Sequence, residues 1–218
     1  MTTRRHHRLT RALFGCAATL LAATGIASTL GQATATAETP CTAVDLVVAR
    51  GTTEPGWLGA EVGDPLYETL QSVLPSISAY RVNYPADYTF ALGAASADIV
   101  DHITRQATAC PGQRYVLVGY SQGAAGVHTA LGSPLTHFVP GATRLPDELA
   151  DRIAAVELFG DLGNNLGITV PAPYADRTKS FCRPGDPICW RGGQFWPAHI
   201  AYGDDITAAA SWLLDQLQ

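Results

Sequence analysis

The reading of the chain turns on Arg114-Tyr115-Val116-Leu117-Val118-Gly119-Tyr120-Ser121-Gln122-Gly123-Ala124-Ala125. Tyr115 to Val118 is a short apolar run rich in β-branched and aromatic residues, the composition of an inner strand of a parallel sheet. Ala124, Ala125 and Gly126 open a helix built from small residues. Between them lies the pattern Gly-x-Ser-x-Gly. Its glycines flank a turn so sharp that a side chain at either place would strike the strand or the helix beside it. Such an elbow holds the Ser121 hydroxyl above the end of the sheet, at a helix N-terminus, where outward-pointing N–H groups favour developing negative charge. Ser121 is therefore a candidate nucleophile, and the remainder of the chain must supply what a serine nucleophile lacks.

At the start of the chain, Arg4, Arg5, Arg8 and Arg11 precede an uncharged run from Ala12 to Ala37 that ends in Ala35-Thr36-Ala37. This is the pattern of a secretory signal peptide over residues 1–37, cleaved after Ala37. Gly15, Gly25, Ser28, Gly31 and Gln32 interrupt the run, which argues against a membrane anchor. The Arg4-Arg5 pair hints at twin-arginine export. Cys16, at the front of the run, should leave with the signal. Removal of residues 1–37 leaves 10 basic against 19 acidic residues, a net charge of about −9. Nucleic acid and anionic membrane surfaces are poor partners for such a chain. The remaining 181 residues, in a chain that is 47% hydrophobic, suffice for one packed core, so residues 38–218 are read as a single domain.

Four cysteines survive processing: Cys41, Cys110, Cys182 and Cys189. An even number in an exported chain argues for two disulfides rather than metal ligation or a redox motif. Of the three possible pairings, Cys182 with Cys189 closes one short loop and leaves Cys41 for Cys110.

Strand and helix patterns alternate along the domain. Strands are expected at Ala43 to Ala49, Ile77 to Tyr84, Tyr115 to Val118, Ile153 to Phe159 and Thr178 to Cys182. Helices are expected over Gly63 to Val73, Leu92 to Thr108, a short one from Glu148, and Asp204 to Gln218. On the second of these, Ala95, Ile99, Ile103 and Ala107 share one face. The alternation indicates an α/β fold: a five-stranded, mostly parallel sheet with helices on both faces and little length left for a lid.

A serine hydroxyl needs a base to take its proton, and the base needs a third group to orient it. Elbow enzymes place these in the chain order serine, acid, histidine. His102 precedes the elbow, while His128 and His137 follow it too closely to leave room for an acid-bearing loop. His199, in Phe195-Trp196-Pro197-Ala198-His199 before the last helix, is the base that remains. Two carboxylates compete for the acid role. Asp161 ends the first strand after the elbow strand, and Asp186 lies in the loop after the second, where the acid of this kind of sheet usually sits. A Cys182–Cys189 bridge would also clamp Asp186 on a rigid loop. Asp176, Asp204 and Asp205 read as solvated turn or cap residues. One oxyanion donor comes with the elbow, the N–H of Gln122; Thr52, in Arg50-Gly51-Thr52-Thr53, is the candidate for the second.

The assembled motifs resemble those of the cutinase family of serine esterases. They are Ala49-Arg50-Gly51-Thr52-Thr53-Glu54, Gly119 to Ala125, Leu158-Phe159-Gly160, Ala175-Asp176-Arg177-Thr178-Lys179, Cys182 to Cys189 around Gly185-Asp186, and His199-Ile200-Ala201-Tyr202-Gly203, in the family's order. The resemblance implies a small, essentially lidless α/β-hydrolase with a Ser121, Asp186, His199 triad, an oxyanion hole from Thr52 and Gln122, and disulfides Cys41–Cys110 and Cys182–Cys189. Fungal members carry serine where Thr52 stands; threonine keeps the donor and adds a methyl. The expected product is a secreted, extracellular or wall-associated monomer that hydrolyses ester or lipid substrates without a metal or organic cofactor. Tyr88, Phe90, Ile188, Trp190, Phe195, Trp196 and Ile200 could line an acyl groove, or could equally be core and rim packing. Two other readings stand beside this one: a lipase or phospholipase acting on membrane or wall lipids, and a secreted binding protein that keeps the fold without turnover. A lidded lipase would need an insertion, for which the segment from Leu131 to Pro146 is short.

Overall fold

Val44–Ala49 (β1) is buried at all six positions. A strand reads this way only when it has neighbours on both edges and cover on both faces. In the computed structural model, which describes residues 41–218, it has all four. The expected signal peptide lies outside the described residues. After β1 come Gly63–Gln71 (α1), Ile77–Arg81 (β2), Leu92–Ala109 (α2), Arg114–Tyr120 (β3) and Gln122–Ala130 (α3). Two 3-10 turns follow, Pro134–Phe138 and Asp147–Arg152, then Ile153–Phe159 (β4), Leu162–Leu166 (α4), Ala172–Ala175 (α5) and Thr178–Phe181 (β5). The chain ends with Trp196–His199 (α6), a 3-10 turn at Tyr202–Asp205, and Ile206–Leu217 (α7).

The five strands lie in the order β2-β1-β3-β4-β5, every neighbouring pair parallel. Side-chain alternation divides the core between the two faces. Val47, Ala49, Leu117, Val156 and Leu158 face α2 and α3, packing on Ala95, Ile99, Ile103 and Val127. Leu46, Val48, Val116, Val118 and Phe159 face α1 and α7, packing on Leu66, Leu70, Ala209 and Leu213. The chain runs outward from β1 to β2, then returns past β1 to β3. This reversal opens a crevice beyond the carboxyl ends of β1 and β3, where open α/β sheets bind their ligands. The Arg50–Thr53 loop leaves β1 there and Ser121 leaves β3 there, so topology alone brings them together.

Several element bounds differ from expectation. β2 stops at Arg81 rather than Tyr84 because the N–H of Asn83 turns to the Asp98 carboxylate, at 2.7 Å, and leaves the ladder. The short helix expected from Glu148 is a 3-10 turn, and the last α-helix begins at Ile206 after a separate 3-10 turn. The segment from Leu131 to Pro146 lies along α2 and α3, tied by the Leu145 N–H to the Ala130 carbonyl at 2.8 Å and the Thr143 N–H to the Ser96 hydroxyl at 3.1 Å. Disulfides join Cys41 to Cys110, fastening the start of β1 to the end of α2, and Cys182 to Cys189, closing the loop after β5. No described helix is long and apolar enough to cross a membrane.

Candidate active site

The elbow is as tight as its glycines imply. A β-carbon at Gly119 would fall 2.6 Å from Cα of Ala124, and one at Gly123 would fall 1.9 Å from the carbonyl oxygen of Ala49. Ser121 itself is held at φ 53°, ψ −116°, a conformation that is costly for a residue with a side chain. The surrounding structure enforces it: the Ser121 N–H donates to the Phe159 carbonyl at 2.8 Å, and α3 begins at Gln122. The first N–H groups of a helix have no intrahelical acceptor, so the Gln122 amide is a free donor beside the serine.

Ser121 stands in a row with His199 and Asp186. Its Oγ lies 2.9 Å from His199 Nε2, and His199 Nδ1 lies 2.8 Å from Asp186 Oδ2. Asp186 is fully buried yet amply satisfied. Its Oδ1 accepts the N–H groups of Ile188 at 2.7 Å and Cys189 at 3.3 Å, and its Oδ2 accepts the Tyr202 hydroxyl at 2.5 Å. Burial alone would raise its pKa, but the hydrogen bonds from Tyr202, His199 and Ile188 outweigh it and hold the carboxyl below its ordinary value near 3.8. With the imidazole neutral, Nδ1–H donates to this carboxylate and Nε2 is left to accept the serine proton.

The loop that carries Asp186 is braced from two sides. From α4, the side-chain amides of Asn164 and Asn165 donate to the carbonyls of Cys189 and Ile188, each at 3.1 Å. Arg183 donates to the Ala201 carbonyl and pairs with Asp204 at 3.0 Å and Asp205 at 3.4 Å. Asp204 and Asp205 lie in the 3-10 turn before α7, as expected of turn residues, Asp204 mostly in solvent, and their pairing with Arg183 also links the loop that carries Asp186 to that turn. Asp161 is occupied elsewhere. Its Oδ2 lies 3.0 Å from Nε2 of the buried His128, and its Oδ1 caps α4 through the Gly163 N–H at 2.8 Å.

On the other side of Ser121, the Thr52 hydroxyl donates to Oε1 of Gln122 at 3.3 Å, and Nε2 of Gln122 donates to the Asp87 carbonyl at 3.0 Å. Buried Glu54 shapes this loop from within, its carboxylate accepting the N–H groups of Gly51 at 2.7 Å and Glu61 at 2.8 Å. Burial pushes its carboxyl above the ordinary range, and those two N–H groups pull it part of the way back. Thr53, Ala86 and Phe90 have φ of 55°, 49° and 50°. With Ser121 they are the described non-glycine residues in the left-handed region, and all belong to the elbow and the two loops beside it. Local strain of this kind costs about 1–3 kcal/mol per residue and concentrates at functional sites.

A cleft of about 330 Å³ opens over Ser121 and His199. Tyr88, Phe90, Ile188, Trp196 and Ile200 line it, as does Tyr120, for which the sequence suggested no role. Tyr88 is 77% exposed, Trp196 59% and Ile200 65%, so much of the apolar rim faces solvent. Trp190 and Phe195 are not in the lining. Trp190 borders a separate open hollow with Asn164 and Arg191, and Phe195 is half exposed, its N–H spent on the Gly185 carbonyl at 2.8 Å. Two tyrosines went unnoticed in the sequence. The Tyr120 hydroxyl donates to the His199 carbonyl at 2.7 Å, and Tyr202 reaches Asp186. The available signal was positional: one lies inside the elbow, and the other three residues after His199. Among the described residues, no group of three or more His, Cys, Asp or Glu side chains is arranged to hold a metal ion.

A parallel sheet of this order, with a serine elbow at the end of its central strand, is the α/β-hydrolase architecture reduced to five strands. The chain belongs to the cutinase family, whose family model, Cutinase, matches residues 40–217. A cutinase of Botryotinia fuckeliana is 38% identical over 179 residues, covering 79% of this chain and 82% of its own. Phospholipase Culp4 of Mycobacterium tuberculosis is 40% identical over 177 residues, covering 78% of this chain and 76% of its own. Among solved structures, a Trichoderma reesei cutinase in complex with a phosphonate inhibitor superposes with a TM-score of 0.67 at 29% identity, over 82% of this chain and 78% of that one. The chain is accordingly a carboxylic ester hydrolase.

Proposed function

We propose that residues 1–37 are a signal peptide and that residues 38–218 form a secreted, extracellular serine esterase working through an acyl-enzyme. The observation that carries this reading is the unbroken row from Asp186 through His199 to Ser121, with contacts of 2.8 and 2.9 Å. Nε2 of His199 takes the Ser121 proton as Oγ attacks the ester carbonyl, and the oxyanion forms beside the Gln122 amide and Thr52. His199, now an imidazolium held by Asp186, gives its proton to the departing alkoxide. Water then repeats the sequence on the acyl-enzyme, with His199 again the base. Two disulfides support an oxidising compartment.

The apolar rim favours esters with a hydrocarbon acyl chain, presented as a cutin-like polyester, a lipid or a short- to medium-chain ester. The 40% identity to a protein named as a phospholipase favours lipid esters as the second reading. The test is direct. Ser121→Ala should abolish p-nitrophenyl ester hydrolysis and leave the fold intact; residual wild-type turnover would sink the proposal. A chain-length series of p-nitrophenyl esters, followed by cutin and phospholipid assays, separates the two substrate readings.

A further inference from the structure

Oδ2 of Asp186 is shared. It receives His199 Nδ1 at 2.8 Å and the Tyr202 hydroxyl at 2.5 Å, and the second contact is the shorter. The direction of the tyrosine bond follows from its other neighbours. The Arg183 N–H, at 3.3 Å, is itself a donor to the phenol oxygen, and the Cys189 sulfur, also at 3.3 Å, is a weak acceptor. The single phenolic proton therefore goes to the carboxylate. Tyr202 has no freedom to leave: its side chain is fully buried, with its ring edge-on to Tyr120 and Phe159 at 5.8 Å and to His199 at 6.3 Å. Burial, and then the hydrogen bond to Asp186, push its ionisation above the ordinary value of 10.0, so it remains a donor throughout the neutral range.

We infer that Tyr202 is a positioning residue of the hydrolysis, dividing the Asp186 charge between two donors and so setting the proton affinity of His199. The inference rests on the triad reading above. A carboxylate that loses one of four hydrogen bonds becomes more basic, and an imidazole bound to it holds its proton more tightly. Packing alone would be served equally by phenylalanine.

The test compares the wild type with Tyr202→Phe on p-nitrophenyl butyrate from pH 5 to 9, with active sites counted by a fluorophosphonate that labels Ser121. The expected result is an acid limb of kcat/KM moved upward by about half a pH unit or more, with kcat lowered roughly 3- to 30-fold and KM unchanged. An acid limb coincident with that of the wild type, or a change confined to KM, overturns the inference. Should Tyr202→Phe fail to fold, replacing Tyr202 by 3-fluorotyrosine keeps the shape and strengthens the donor. The acid limb should then move downward, and an unmoved limb again overturns the inference. A wild-type protein that hydrolyses the ester without labelling at Ser121 would overturn the triad reading itself, and this inference with it. A labelled enzyme with an unmoved limb overturns only the role of Tyr202.

Discussion

Gly160 turns its bare Cα toward the His199 ring, so that a β-carbon at residue 160 would lie 2.7 Å from Cε1 and 2.9 Å from Nδ1. The residue sits at φ 55° immediately after β4, with its N–H on the Phe181 carbonyl at 3.0 Å, so the backbone cannot swing away without breaking the β4–β5 ladder. Gly160→Ala should therefore push the imidazole off the Ser121–Asp186 line. Misplacement of a catalytic group by about 1 Å costs on the order of 100-fold in rate. The expected outcome is a loss of kcat of that size, with a stability cost of about 1 kcal/mol from the left-handed alanine. Active-site-titrated kcat and a urea midpoint measure the two separately; wild-type kcat would show that the histidine seat does not depend on the bare Cα.

Thr52 makes a different kind of demand. Its hydroxyl rests on Oε1 of Gln122 at 3.3 Å, a long bond that is readily given up when an oxyanion forms nearby. Thr52→Ala deletes that donor while sparing the backbone, and should lower kcat by about 100- to 1000-fold at unchanged KM. Thr52→Ser restores the donor and removes only a methyl, and should return kcat to within a few-fold of the wild type. Steady-state kinetics on a p-nitrophenyl ester decide it, and equal activity in all three proteins would remove the hydroxyl from the oxyanion role.

The central strand and its elbow were legible because one pattern combined two periodicities and a steric rule: an apolar strand, a small-residue helix and glycines that the structure shows to be obligatory. Strand order was legible only as parallel alternation; the return past β1 that creates the crevice leaves no local trace. The helix around His199 looked like a loop because it is a single turn of four residues whose Pro197 fits the first turn of a helix as readily as a loop. Tyr202 and Tyr120 were invisible as site residues because a tyrosine near a histidine in sequence is ordinarily core packing, and only the fold turns their hydroxyls toward Asp186 and the His199 carbonyl. Aromatic composition gave no way to tell Trp196, which lines the cleft, from Trp190, which points to another hollow.

Asp161 and Asp186 were rivals on sequence, and their environments now predict opposite phenotypes. Asp186→Asn keeps the shape but leaves Nδ1 of His199 facing an amide, which favours the wrong tautomer. A drop in kcat of about 10⁴-fold with modest loss of stability is expected. Asp161→Asn weakens the buried contact to His128 at 3.0 Å and the cap on α4, and should cost about 1–3 kcal/mol in a urea melt while kcat per folded active site stays within several-fold of the wild type. The reverse ranking of kcat would transfer the acid role to Asp161.

Glu157 lies fully buried in the middle of β4, and neither of its carboxyl oxygens has a hydrogen-bond partner among the described residues. Burial raises its pKa from an ordinary value near 4.5 to about 8, against a pull from Lys179, its partner in register on β5. In the unfolded chain the carboxyl loses its proton near pH 4.5, whereas in the fold it keeps it to about pH 8. Unfolding between those values releases a proton, so stability falls as pH rises through the window, by up to roughly 1.4 kcal/mol per unit, and levels off above it. Glu157→Gln, neutral at every pH and of the same shape, should abolish that slope. The variant should match the wild type within about 1 kcal/mol at pH 4.5 and exceed it by a few kcal/mol at pH 8 to 9, read as the urea midpoint at each pH. Parallel pH profiles for the two proteins would mean that the buried carboxyl is ionised in the fold after all, with Lys179 swung close enough to hold its charge.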